Sequence, residues 1–261
     1  MVGNGYSANG KPSVSAEAAE RTPHAHAMHR EDHGIREGLG ATSVEYRPMR
    51  IEDLDDIVRS FDQTWGVADA NAASVASSLL SRYYVLHYLQ PATDARIAQL
   101  NGSFMGVALS RAQGAEILFP DVEEWMDRTA FALRASDAGS MMLDQANQGF
   151  DIELQMEAEC GLPDTAQGEL ELFLVDASAR GHGVGGSLWR HAMQYFAQER
   201  KSGFFLHTDS TCDVGFYDHK GLNRINHRDI RPSHSTLADE GVLPEDLFIY
   251  AGDVKQFAEV R

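Results

Sequence analysis

Hydrophobic and polar positions change rhythm several times along this chain, and each rhythm names an element. A short strand is expected at 44–50. After it Leu54, Ile57, Val58, Phe61 and Trp65 recur at three- and four-residue steps, the pattern of a helix with one apolar face. A second helix is expected from about Asn71 to Tyr88, with Val75, Leu79, Tyr83 and Leu86 as its stripe and Pro91 as its stop. The rhythm then shortens to two. Ala95–Leu100 and Ser103–Ser110 flank Asn101-Gly102, a pair suited to the positive φ angles of a type I′ hairpin turn. Residues 111–168 are the hardest to read. Asp121, with Glu124 three residues on, marks a capped helix over Val122, Trp125, Met126 and Leu133, and Ser140–Gln148 marks another. From Glu169 the order is clear: strand Glu169–Val175, helix Val184–Arg200, strand Phe204–Thr208, short helix Asp213–His219 closed by Gly221, then strands Asn223–Ile230 and Leu247–Ala251. Leu188, Ala192 and Phe196 line the longer helix, with Trp189 and Met193 beside them. Strand, helix and strand predict a right-handed parallel crossover, so the fold is α/β and the hairpin makes its sheet mixed.

Residues 1–44 hold no sustained apolar period and are rich in Gly, Ala, Ser and His. They read as a flexible tail before a domain over 45–261; His24, His26, His29 and His33 leave metal binding as a second reading of the tail. Hydrophobic residues make up 43% of the chain, enough for a core, and the formal net charge is −17. That balance argues against a nucleic-acid partner, which requires a basic face. It suits attraction of a cationic small molecule as well as plain solubility. Cys160 and Cys212 form neither a metal-type pair nor a disulfide framework, so a reduced, cytoplasmic setting is expected. No apolar run approaches the roughly 18 residues of a membrane span, and no apolar signal core opens the chain. Oligomeric state is not legible, and a homodimer is compatible with the sequence.

The most informative stretch runs from Leu172 to Trp189: an apolar strand, a loop with Arg180, four glycines in six residues, then an amphipathic helix. Glycines at a strand-to-helix junction let phosphates approach bare backbone N–H groups, where the helix dipole favours negative charge. A P-loop lacks its lysine here, because Gly186 is followed by Ser187 and Leu188. A dinucleotide fingerprint, Gly181-x-Gly183-x-x-Gly186 with Asp209 ending the next strand, is disfavoured. Asp176 to Arg180 separate the strand from the first glycine, and too little chain follows Asp209 for the missing βαβ units. The third reading fits the spacing. Val175, Arg180, Gly181, Gly183 and Gly185 spell a pyrophosphate loop for coenzyme A that resembles the acyl-CoA loop of the GNAT superfamily of N-acyltransferases. The element order from 46 to 255 is similar too. Gln99–Leu109 looks like the family's second and third strands, and Phe216–Leu222 like its Tyr-x-x-x-Gly-Phe helix end, with Leu222 in place of Phe. Two departures stand out: Ser210 occupies a position where the family often has asparagine, and 111–168 is longer than a family hairpin.

The resemblance implies a mixed, mostly antiparallel central sheet flanked by helices, with 111–168 as a helical insertion between the third and fourth strands. It implies acetyl-CoA as cosubstrate and a small-molecule or peptide primary amine as acceptor. Gly181, His182, Gly183, Val184, Gly185 and Gly186 would hold the diphosphate, Arg180 would add charge, and at Ser210 the family's hydrogen bond to the cofactor would be weaker or absent. Backbone groups of Phe173, Leu174 and Val175 would take the pantetheine arm and the acetyl carbonyl, as in strand addition. An amine with a pKa near 10.4 must lose a proton before attack. Glu169 and Glu171, two apart on one strand and so on one face, are both candidates for the base. Glu169 matches a family base by position, whereas Glu171 lies nearer the expected thioester. Tyr217 would protonate the departing thiolate. Tyr83, Tyr84, His87, Trp65 and Trp125 are candidate acceptor walls; His207 reads as a packed histidine. No metal-ligand spacing appears within 45–261. A CoA-binding sensor or scaffold without catalysis, and a nicotinamide-dependent oxidoreductase, are the alternative classes.

Overall fold

The structure, a computed structural model, describes residues 43–66, 73–230 and 246–258. The expected tail, with its four histidines, lies outside them apart from residues 43 and 44. Among the described residues no helix is long and apolar enough to cross a membrane.

The chain enters through β1 (Glu45–Pro48) and α1 (Leu54–Trp65). Asp53 sets that corner: its carboxylate holds the Arg47 guanidinium at 2.7 and 2.6 Å and accepts the Arg50 N–H at 2.7 Å. Leu54, Ile57, Val58 and Phe61 of α1 are buried, as their spacing predicts. In α2 (Ala73–Leu89) the expected stripe needs correction. Val75 is exposed, while Ala76, Val85 and Leu89 are buried beside Tyr83 and Leu86. The helix packs against α1 on one side and against the insertion helices on another, so no single apolar line describes it. Its Ser81 donates to Asp62 of α1 at 2.7 Å.

Strands β2 (Asp94–Leu100) and β3 (Ser103–Ala112) form the hairpin. Asn101 and Gly102 carry φ of 52° and 80°, the left-handed pair that this turn requires. The insertion holds α3 (Val122–Leu133) and α4 (Asp137–Glu159). Asp121 makes no side-chain cap, contrary to expectation; it is already helical, in a turn closed by Val122 N–H on Phe119 O. Ser136 caps α4 instead, accepting from Gly139 N–H at 3.0 Å. That helix runs past the expected end at Gln148, because Phe150 and Met156 find buried sites beyond Gly149. The remaining elements are β4 (Gly168–Val175), α5 (Val184–Gln198), β5 (Gly203–Asp209), α6 (Gly215–Lys220), β6 (Asn223–Asp229), β7 (Asp246–Asp253) and a closing α7 (Val254–Ala258) too short to announce itself in the sequence.

The sheet order is β1-β2-β3-β4-β5-β7-β6, antiparallel throughout except for β4 beside β5. One apolar cluster lies under α5 and α7, and a second under α1 and α2. Phe196 of α5 is fully buried, stacked 5.9 Å from Phe204 and lying directly over Gly168, where a side chain would collide with its ring. Phe196→Ala is expected to cost about 3–5 kcal/mol of stability, read from urea unfolding, because the rigid sheet beneath leaves a cavity.

Candidate active site

Two irregularities in β4 shape the centre of the molecule. Its pairing with β5 stops after Gly168–Phe204 and Glu169–Phe205, so the sheet splays and, among the described residues, Leu170 to Val175 have no strand partner on that side. On the other side, Leu109 faces Leu172 and Ser110 faces Leu170, which leaves Glu171 as the extra residue of a bulge. Leu170, Phe173 and Val175 pack with the α5 cluster and Leu172 and Leu174 with the α1–α2 cluster. The side chain of Phe173 is core, 6.2 Å from Trp189 and 5.5 Å from Phe216, so only its backbone is free for a ligand.

Beyond β4, Asp176 accepts from the Ser178 N–H at 2.9 Å and from the Ser60 hydroxyl at 3.1 Å, folding the chain into one 3-10 turn. The glycine loop follows. Gly181 and Gly183 have φ of 81° and 69°, and a Cβ at either would meet nothing within 4 Å. His182 closes the loop through its ring and the Arg180 carbonyl, 3.1 Å apart. The first backbone bond of α5 is Ser187 N–H to Gly183 O, 3.1 Å, and no side chain caps the helix. The amides from Gly183 to Gly186 therefore precede the intrahelical ladder. Open space, bare amides and the positive end of a helix dipole together fit a phosphate. Ser210 sits at the far end of β5, exchanging hydrogen bonds with Asp246 of β7.

Carboxylates crowd the mouth of the splay. Glu169 and Glu171 have side chains only 6% and 8% exposed, and Arg111 of β3 forks between them. Its Nε reaches Glu171 Oε1 at 2.7 Å and its Nη2 reaches Glu169 Oε2. Burial is the chief cause that pushes Glu171 up to about 7, with Arg111 opposing. Its second oxygen has no recorded protein partner among the described residues. Across the splay, His207 of β5 sets Nδ1 3.3 Å from Glu169 Oε1 and Nε2 3.6 Å from Glu157 Oε1 of α4. Burial also raises Glu153, one helical turn before Glu157, and Glu157, Glu171 and Asp209 add to the effect. Ligand atoms of Glu157, Glu169 and His207 lie within 4.8 Å of one another, a grouping the sequence spacing did not show. The two imidazole nitrogens face different carboxylates, Nδ1 that of Glu169 and Nε2 that of Glu157.

Aromatic groups from α2 and α4 line the same region. His87 stacks on Phe150 at 3.5 Å and 9°, and Tyr84 meets Phe150 edge-on at 5.3 Å. Burial, with help from Glu153 and Asp209, pushes Tyr84 up to about 12 and Tyr88 well above its usual value. Burial, then the nearby His207, pulls His87 down to about 4. Of the expected wall residues, Tyr84 and His87 are brought to the carboxylates. Tyr83 bonds Asn147 in the α2–α4 seam at 2.9 Å, and Trp65 and Trp125 pack into the α1–α2 core. Tyr88, Phe150, Arg111, Glu153 and Glu157 were not foreseen. Tyr217 lies in α6, buried against Trp189, Phe216 and Tyr250; burial raises its pKa. Gly221, at φ 79°, ends that helix in the expected left-handed turn, with Leu222 N–H returning to Tyr217 O at 3.2 Å.

A splayed, mostly antiparallel sheet with an uncapped glycine loop at the start of α5 defines the GNAT fold class. Residues 112–221 match the model of the family described as Acetyltransferase (GNAT) family. No curated protein matches it by sequence. Among solved structures it is similar to Ard1 from Thermoplasma volcanium, at 14% identity and a TM-score of 0.44, over 81% of this chain and 97% of that one. It is similar to the ribosomal-protein-S18-alanine N-acetyltransferase from Escherichia coli, at 13% identity and 0.43, over 81% and 94%. It is also similar to Arabidopsis thaliana Naa50 in complex with a bisubstrate analogue, at 13% and 0.44, over 80% and 98%.

Proposed function

We propose that this protein transfers an acetyl group from acetyl-CoA to a primary amine, with 45–261 as the catalytic domain. The observation that carries the reading is the alignment along one strand of three features: the bare amides of Gly183 to Gly186, the unpaired backbone of β4, and the Arg111-bound carboxylates. Acetyl-CoA supplies the acetyl group as a thioester. The loop amides and Arg180 hold its diphosphate, and Phe173 to Val175 offer backbone groups to its arm and carbonyl. The acceptor enters between α2, α4 and the splay, where carboxylates favour its cationic form and aromatic rings receive its carbon skeleton.

Glu171 takes the ammonium proton, because its free oxygen and its pKa near neutrality suit a base, while Glu169 is engaged on both sides. The amine nitrogen then bonds to the acetyl carbon in a tetrahedral intermediate whose oxyanion faces β4 N–H groups. When the carbon–sulfur bond breaks, Tyr217 gives its proton to the thiolate, and the nitrogen, still carrying one proton too many, releases it through water to restore the tyrosine, leaving a neutral acetamide and the free thiol. A raised pKa keeps that tyrosine protonated and ready to donate. Tyr217→Phe should lower kcat by about 10-fold or more with little change in KM, since the hydroxyl acts on the leaving group alone.

The test is incubation of the full chain with acetyl-CoA and tyramine, spermidine or a lysine peptide. Thiol release and product mass are followed, and acetyl-CoA binding is measured by calorimetry. Acetylated product supports the reading. Tight acetyl-CoA binding without turnover would make the protein a CoA sensor or scaffold, and NADH binding in place of acetyl-CoA would make it an oxidoreductase.

A further inference from the structure

We infer that His207 is a positioning residue for the proposed reaction: clamped between Glu157 and Glu169, it fixes Glu169 against Arg111 and through that pair aims Glu171 at the acceptor. The inference rests on the acetyl-transfer reading and deepens it.

Each link comes from a different element. Glu157 belongs to α4, His207 to β5, Glu169 and Glu171 to β4, and Arg111 to β3. The last backbone pair between β4 and β5 is Glu169–Phe205, two residues before His207. Past that point side chains take over from the strand ladder, and the Glu169–His207 contact at 3.3 Å is the first to do so. The far edge of the ring is closed: Nε2 is buried without a hydrogen bond, 3.6 Å from the Glu157 carboxylate. The ring therefore lies between two acids, one at each nitrogen. The groups facing it are Glu153 and Glu157 from α4, Glu169 and Glu171 from β4, His87 from α2, and the edge of the Phe205 ring at 5.7 Å. Carboxyl groups outnumber every other kind in that list, and among them His207 lowers Glu171 against the effect of its burial.

Arg111 transmits the constraint. It has two acidic partners and must divide its donors between them. With Glu169 held by His207, the Arg111 Nε stays on Glu171 Oε1 and leaves the second Glu171 oxygen for the acceptor. Without His207, Glu169 turns, the guanidinium follows, and the base loses both its orientation and a nearby positive charge.

The experiment compares the full-length wild type with His207→Leu and His207→Gln, using acetyl-CoA and whichever of tyramine, spermidine or a lysine peptide the wild type acetylates. His207→Leu should lower kcat about 10-fold, leave the KM for acetyl-CoA unchanged, and move the acidic limb of the rate profile to higher pH, because an acid that loses a neighbouring cation is harder to ionise. His207→Gln keeps a donor toward Glu169 without the charge, and should recover part of kcat while its limb stays displaced. A limb at the wild-type pH in both variants overturns the inference, as does loss of acetyl-CoA binding in both. If thermal melting shows the leucine variant unfolded, the glutamine variant decides alone. A wild type that acetylates none of the amines fails earlier and overturns the acetyl-transfer reading, and this inference with it.

Discussion

Glutamate in place of Gly183 should weaken acetyl-CoA binding by at least about 100-fold while the protein stays folded, the second part being what makes the first informative. Gly183 is left-handed at φ 69°, so any side chain there costs about 1–2 kcal/mol. It meets no further penalty from packing, since a Cβ would face open space. The same open space would receive a carboxylate where the loop amides point. Those amides would then satisfy the new anion, and its charge would repel the phosphate, cancelling a preference that the dipole and the loop N–H groups create together. About 2.7 kcal/mol of lost binding corresponds to the 100-fold change. Calorimetry with acetyl-CoA reads the affinity and thermal melting reads the fold. Gly183→Ala, which carries the strain without the charge, should keep most of the affinity. Wild-type affinity in the glutamate variant would remove the loop from the cosubstrate site.

The glycine loop was legible in the sequence for a physical reason: the groups proposed to hold the diphosphate are consecutive amides, so one short stretch holds both the geometry and the chemistry. The hairpin turn was legible on the same ground. The acidic half of the site was not, because its parts meet only through the sheet. Arg111 faces Glu169 across the β3–β4 ladder, and the whole insertion lies between them in sequence. Glu153 and Glu157 are four apart and share a helix face, a signal present in the sequence, but the expected helix ends at Gln148, before reaching them. His207 was read as packed, and it is packed, yet against carboxylates rather than carbon. Glu169 and Glu171 were expected side by side from strict alternation. They do converge on one arginine, but at a bulge, where alternation breaks. A two-residue period records which side chains leave a strand together; it does not record an inserted residue that redirects one of them.

That bulge is why the second large effect is assigned to Glu171. Glu171→Gln should reduce kcat by about 10²–10³-fold, within the range a positioned proton acceptor contributes. The amide has nearly the same shape and can still accept from Arg111 Nε, so acetyl-CoA affinity should hold. The pH profile carries the proof. A carboxyl group raised to about 7 is protonated, and useless as a base, below that value and ionised above it. Wild-type kcat/KM should therefore rise with pH through about 7 and level off, and the rise should vanish in the glutamine variant. Glu169→Gln removes a partner of Arg111 and of His207 but leaves the acceptor of the proton in place, so its profile should be lowered and displaced yet still rise. The reverse pattern, a wild-type rise in Glu171→Gln and none in Glu169→Gln, would move the base one step back along the strand, to the residue whose two oxygens are already engaged by Arg111 and His207.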